Sequence, residues 1–182
     1  MSIEFLLLSL IVVIAPGTGV IYTLANGLTG GWRRGVVAAF GCTMGILPHI
    51  AAAVFGLSAM LHASAVGFQA IKIAGVAYLL YLAWSALQES GALSIENGNA
   101  PQSWRNIVIK GFLINILNPK LSIFFLAFLP QFVISEAGSA TIQMLWMGGV
   151  FMAMTLVVFI GYGLFAALVR TQVVSRPVVM TW

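Results

Sequence analysis

The stretch IVIKGFLINILNPKLSIFFLAFLPQFVI, residues 107–134, carries Asn118-Pro119-Lys120 in the middle of an otherwise apolar run. A helix crosses the hydrocarbon of a bilayer in about 20 residues, so the run is long enough to span. Pro119 has no amide proton, and its ring crowds the carbonyl of Asn115 one turn back. Inside a helix this costs on the order of 3 kcal/mol, and it pushes Asn118 out of helical geometry. Lys120 follows at once, and an ammonium at mid-depth costs about 2.5–3.5 kcal/mol even on the lenient insertion scale. A proline kink with a snorkelling lysine would account for either feature alone. The two side by side point to a helix broken around a polar site.

The rest of the chain has the same character. Of its 182 residues, 61% are hydrophobic and 7% are charged, with a mean hydropathy of +1.06, where soluble domains carry about 25% charged residues. The long continuous runs call for helices, not the short alternating strands of a barrel. The reading is an all-α integral membrane protein, a single transmembrane domain over 1–182. Five spans are expected: about Ile3–Leu28, Val36–Leu61, Val66–Leu87, Ile107–Ile134 and Ile142–Val169. A polar loop at 89–105 separates a first half, 1–88, from a second, 106–182. The apolar start, with Glu4 where a signal peptide would be basic and with apolar residues past Pro16, reads as a mature span.

The basic residues give an orientation. Arg33, Arg34, Arg105, Lys110, Arg170 and Arg176 follow spans one, three and five, while the alternate loops near His62 and Glu136 carry no lysine or arginine. The positive-inside rule makes their shared side cytoplasmic and places the N-terminus outside. Lys72 is the exception, close enough to the outer face for its stem to snorkel. A net charge of +4 distributed this way is a membrane pattern and no sign of nucleic-acid binding. Trp32, Trp104 and Trp182 sit where interfacial anchors belong.

The first span is also interrupted, at Pro16-Gly17-Thr18-Gly19, at a depth matching that of Pro119 while running the opposite way. Paired breaks of this kind are the signature of an inverted repeat with a substrate site at the midplane. Amides freed at a break favour a carboxylate, and freed carbonyls favour an ammonium, so two opposed breaks form a cradle for an amino acid. Chemistry other than transport finds little material. Cys42 is the only cysteine, which rules out an intrachain disulfide or redox pair. There is no aspartate, and all four glutamates lie outside the span interiors, so a metal-dependent hydrolase lacks its carboxylates. The same lack favours a neutral amino acid over a dibasic one. His49, midway along the second span, is the one embedded group whose ordinary pKa lies near neutrality; it is either the proton-coupling site or an interhelical hydrogen bond. Gly41 and Gly45 form a GxxxG pattern that permits close helix approach. Phe124, Phe125 and Phe128 read as packing or lipid-facing residues.

Three blocks carry a family resemblance. Pro16-Gly17 with Gly31-Trp32-Arg33-Arg34-Gly35, the Lys72–Leu79 segment, and above all Gly111-Phe112-Leu113, Asn115, Asn118-Pro119-Lys120 and Phe128-Leu129-Pro130-Gln131-Phe132 resemble the lysine exporter/homoserine-threonine resistance (LysE/RhtB) family. The resemblance implies a bacterial inner-membrane exporter of amino acids or their derivatives, driven by the proton-motive force, with no cofactor and no enzymatic activity. It puts Pro16, Gly17, Asn118, Pro119 and Lys120 forward as substrate-binding residues, and the first break by itself adds Thr18. The bilayer and a small amino acid are the expected partners, and a homo-oligomer is open. Thr18-Gly19 and Ile46 stand where many members have proline or asparagine and an aspartate. A sixth helix usual in the family has no counterpart, which leaves the second half one helix short. The competing reading is a non-transporting membrane assembly subunit or a truncated remnant of an exporter.

Overall fold

The computed structural model describes residues 2–62, 103–134 and 138–174, all helical or short connections, with no strand among them. The expected third span at Val66–Leu87, Lys72, the polar stretch after it, Glu136 and the tail with Arg176 and Trp182 lie outside the described residues. Helix α1 (Ile3–Ile14) starts at Ser2, whose side chain accepts from the Phe5 amide, and stops before Pro16. Helix α2 (Thr18–Met44) follows Gly17, and α3 (Leu47–His62) follows a short irregularity at Gly45-Ile46. Pro48 explains that second interruption, since its ring crowds the Met44 carbonyl one turn back.

The segment Thr18–Gly56 is long and apolar enough to cross a membrane, but it is not one straight crossing. Gly31 stands at φ 78°, ψ −177°, a conformation open to glycine and strained for other residues. Beyond it the chain folds back. Gly27 and Gly35 both abut Gly163, although eight residues of straight helix would separate them by about 12 Å. Likewise the Cys42 thiol lies 3.8 Å from the Gly19 carbonyl. The two arms of α2 therefore form a hairpin, with its tip at the basic sequence expected to be a loop. Arg170, near the far end of the last helix, brings a guanidinium nitrogen 3.3 Å from where a Gly31 Cβ would stand, so it joins Arg33 and Arg34 at this tip.

The fourth expected span is four pieces. Helix α4 (Trp104–Ile116) begins at Ser103, whose side chain accepts from the Asn106 amide, so Trp104 and Arg105 belong to the helix and not to the preceding loop. Helix α5 (Pro119–Ile123) begins at Asn118 and runs into a π-helical turn (Phe124–Phe128) and a 3-10 turn (Leu129–Phe132). The two halves are bent by 51°. The change of winding falls just before Pro130, which cannot donate back along the helix. The final helix, α6 (Ala140–Val174), supplies another long apolar span.

Glycines set the packing. A Cβ at Gly41 would stand 2.6 Å from the Val108 carbonyl oxygen, and one at Gly45 2.6 Å from that of Phe112. The GxxxG pair thus presses the second arm of α2 onto α4. Phe124 and Phe125 are buried and meet Phe151 of α6 at ring-centroid distances of 4.5 and 5.1 Å. Phe5 of α1 closes the cluster against Phe124 and Phe132. Phe128 faces outward, as do Trp32 and Trp104.

Candidate functional site

The two breaks meet. At the first, α1 ends at Ile14, Ala15 turns the chain, and Gly17 is extended at φ −148°, ψ 179° with no side chain capping the amides of α2. At the second, Leu117 closes α4, and Asn118 turns the chain into α5 while its side-chain oxygen accepts from the Lys120 amide at 3.1 Å. Pro119 takes the first helical position, where its missing amide costs nothing. The Lys120 side chain then crosses to the other break. Its ammonium donates to the carbonyls of Val12 at 2.9 Å and Ala15 at 2.7 Å. These are among the carbonyls that the end of α1 leaves without helical partners, and a cation is favoured there. From sequence alone the carbonyl side of the break is open to a cargo ammonium; in the fold the protein's own lysine occupies it.

A small cavity of about 10 Å³ lies beside this contact, lined by Val12, Val13, Gly17, Gly19, Val20, Asn115, Asn118, Lys120, Leu121, Phe151, Thr155 and Phe159. That is room for about one water molecule, so the arrangement is a closed one. On the other side of Lys120 a larger recess of about 400 Å³ is lined by Leu8, Val12, Pro119, Ile123, Phe124 and Phe128. Of the residues picked from sequence, Gly17, Asn118 and Lys120 line the small cavity together, and Pro119 faces the recess. Pro16 and Thr18 are exposed and line neither.

His49 is buried behind the second break. Its Nε2 is 2.9 Å from the Asn115 carbonyl, and its Nδ1 is 3.5 Å from the Ser122 hydroxyl. The ring stacks on Phe125 at 6.2 Å. It therefore holds a backbone carbonyl that the break has freed, and it does not line the cavity. Asn115, not picked as a site residue from sequence, ties three helices here. Its side-chain amide donates to the Cys42 carbonyl at 2.7 Å, its side-chain oxygen accepts from Asn118 at 3.3 Å, and a Cβ on Gly19 would meet that oxygen at 2.6 Å. A polar amide one turn before Asn118 in an apolar run was the available signal. Tyr162 had none: its hydroxyl donates to the Ile14 carbonyl at 2.8 Å from α6, a partnership made only by the fold.

Comparison with known proteins gives a consistent assignment. The family described as LysE type translocator matches residues 10–181. A membrane protein of Vibrio cholerae serotype O1, described as uncharacterized, is 31% identical over 179 residues, covering 98% of this chain and 86% of its own length. The homoserine/homoserine lactone efflux protein of Salmonella typhimurium is 29% identical over 162 residues, 89% of this chain and 78% of its own. The leucine efflux protein of Enterobacter sp. is 27% identical over 126 residues, 67% and 58% of the two chains. No solved structure matches the chain.

Proposed function

This chain belongs to the LysE type translocator family, a multi-pass membrane transporter and not an enzyme, and from that premise we propose that it exports amino acids or amino-acid derivatives. The homoserine and leucine efflux relatives support that cargo class. The direction is outward across the bacterial inner membrane, coupled to the proton-motive force, with neutral cargo favoured because the span interiors contain no carboxylate. The N-terminus lies outside, and the two halves form an inverted repeat. The cargo site is the junction of the breaks, made by Gly17, Asn118, Pro119 and Lys120, with Pro16 and Thr18 flanking it at the first break.

One observation carries this reading: the Lys120 ammonium bridges from the second break to the end of α1 beside a cavity. Irregular backbone at membrane depth is tolerated where protein or a wet cavity covers it, and here a charge is added that a merely packed kink does not need. Because the cavity is closed around about one water, admission of cargo requires α1 and α5 to separate, which lengthens the Lys120 contacts. His49 is the candidate for proton coupling, since it holds the α4 end of the same break.

Lys120→Met tests the site. It leaves the Val12 and Ala15 carbonyls unpaired, at about 1–3 kcal/mol each, and it removes an ammonium whose embedding costs about 2.5–3.5 kcal/mol. The terms are of similar size, so near-normal membrane levels are expected together with loss of export. Lys120→Arg is expected to be strongly impaired, because a planar guanidinium does not replace a compact ammonium between two carbonyls. Wild-type export by Lys120→Met would reject the site.

A further inference from the structure

The turn between the two arms of α2 gathers positive charge that export of cargo at the breaks does not use. Gly30 and Gly31 have no side chains there, and arginines fill the space. A Cβ at Gly30 would overlap the Arg34 side chain and stand 2.7 Å from its Nε. A Cβ at Gly31 would stand 3.3 Å from a guanidinium nitrogen of Arg170, which arrives from α6. Both arginines are half-buried. The exposed Arg33 lies over the Trp32 ring, its guanidinium carbon 5.3 Å from the centroid. Three guanidiniums from two helices thus stand at one end of the bundle.

Nothing in the fold neutralises them. Among the described residues none of the three makes an ion pair or a hydrogen bond. Glu4, the only acidic residue among the described ones, sits in the first turn of α1. Helix ends attract cations through their terminal carbonyls, but an arginine held for that purpose donates to a carbonyl, and none of these does. Each guanidinium keeps its planar fork of N–H donors for another partner. Like charges crowded together repel, and an oxyanion placed among them relieves that repulsion.

The surroundings say which oxyanion. Arg170 is the last residue of the apolar span Ala140–Arg170, so the cluster lies at headgroup depth, where a ring such as that of exposed Trp32 is at home. Next to the turn, the first arm of α2 exposes Ile21 and Leu28 and the second exposes Phe40. A ligand fitted to this place has a phosphate for the arginine forks and hydrocarbon beside it. We infer that the turn at Gly30-Gly31 is a binding site for the phosphate of an anionic phospholipid, gripped by Arg34 and Arg170 with Arg33 at its rim. The bound phosphate ties α2 to α6. The site is separate from the junction of the breaks and does not depend on the identity of the cargo.

The test uses the full-length protein in a neutral detergent, titrated with phosphatidylglycerol or, separately, with phosphatidylcholine. Retained lipid is counted by native mass spectrometry, and Tm is followed in the same samples. The expected result is one tightly retained phosphatidylglycerol, bound at least about fivefold more tightly than phosphatidylcholine, with Tm rising as the site fills. Arg170→Gln should weaken its binding by about fivefold or more, the loss of one guanidinium beside an anionic headgroup. Arg170→Lys keeps the charge and loses the fork, and should weaken it as well. Arg33→Gln, at an exposed position where folding is not at stake, should act in the same direction. Arg105→Gln removes an exposed arginine outside the turn and should cost much less. Equal losses for Arg170→Gln and Arg105→Gln, with Arg170→Lys binding like wild type, would reduce the effect to diffuse charge and overturn the site. Retention unchanged by both Arg170→Gln and Arg33→Gln would overturn it too. Equal retention of the two lipids, or release of phosphatidylglycerol by millimolar inorganic phosphate, would overturn the assignment to an anionic lipid.

Discussion

Gly35→Ala places a methyl group between two helices that touch through their backbones. An alanine Cβ there would stand 2.8 Å from the Gly163 Cα and 3.1 Å from its carbonyl carbon and oxygen. Carbon atoms in contact prefer about 3.5–4.0 Å, so α6 must retreat from the second arm of α2 by roughly 0.7 Å or more. No side chain can swing away, since the three nearest atoms all belong to the Gly163 backbone. Overpacking of this kind costs about 1–3 kcal/mol, and the helix propensity of alanine over glycine returns at most about 1 kcal/mol. With the full return the net loss is about 0–2 kcal/mol, a fall in Tm of up to roughly 8 °C for a chain of this size, and the gap to a glycine-to-alanine change that meets no clash is about 1–3 kcal/mol. Cys42 provides the assay, because it is the only cysteine and is fully buried. A thiol-reactive dye then reports unfolding of the detergent-solubilised protein. Gly161→Ala on the same α6 is the control, since a Cβ there meets nothing within 4 Å; it should melt at or slightly above the wild-type temperature. Gly35→Ala melting as high as Gly161→Ala would mean that the hairpin does not press on α6, and the reversal at Gly31 would have to be redrawn.

The other expectations concern the site and its surroundings. His49→Gln, which keeps a donor for the Asn115 carbonyl, should preserve folding and flatten the pH dependence of export; an unchanged profile in vesicles would leave His49 as an interhelical bond only. Asn115→Ala removes the donor to the Cys42 carbonyl and should cost about 1–3 kcal/mol, read by the same dye assay. Ser9 buries a hydroxyl for which the described residues offer no partner, so Ser9→Ala should be neutral or stabilising; a drop of several degrees would show that the hydroxyl is satisfied in the membrane. For topology, single cysteines added in a Cys42→Ser background should be sealed from an impermeant thiol reagent at residue 97 and labelled at residue 136. The reverse pattern would invert the assignment.

Much of the architecture is legible in the chain because its causes are local. An apolar run can be satisfied in lipid only as a helix. Pro16 and Pro119 act on the carbonyl one turn back, and Gly31 permits a reversal that other residues resist. The helical class and both breaks follow from such terms, and the structure places the breaks where those residues stand. Pro48 and Pro130 carry the same signal inside spans expected to be continuous there, and they mark the irregularity after Met44 and the rewinding after Ile123. What lay beyond the sequence depends on which distant groups come within 3 Å. Lys120 is visible as an embedded charge, but its partners, Val12 and Ala15, are more than 100 positions away. The carbonyls of α1 look available to cargo because a helix end exposes them. Lys120 and Tyr162 fill them only after α5 and α6 are packed against α1. The GxxxG pair at Gly41 and Gly45 likewise allows a close approach without saying to what, and only tertiary packing brings Val108 and Phe112 to those glycines.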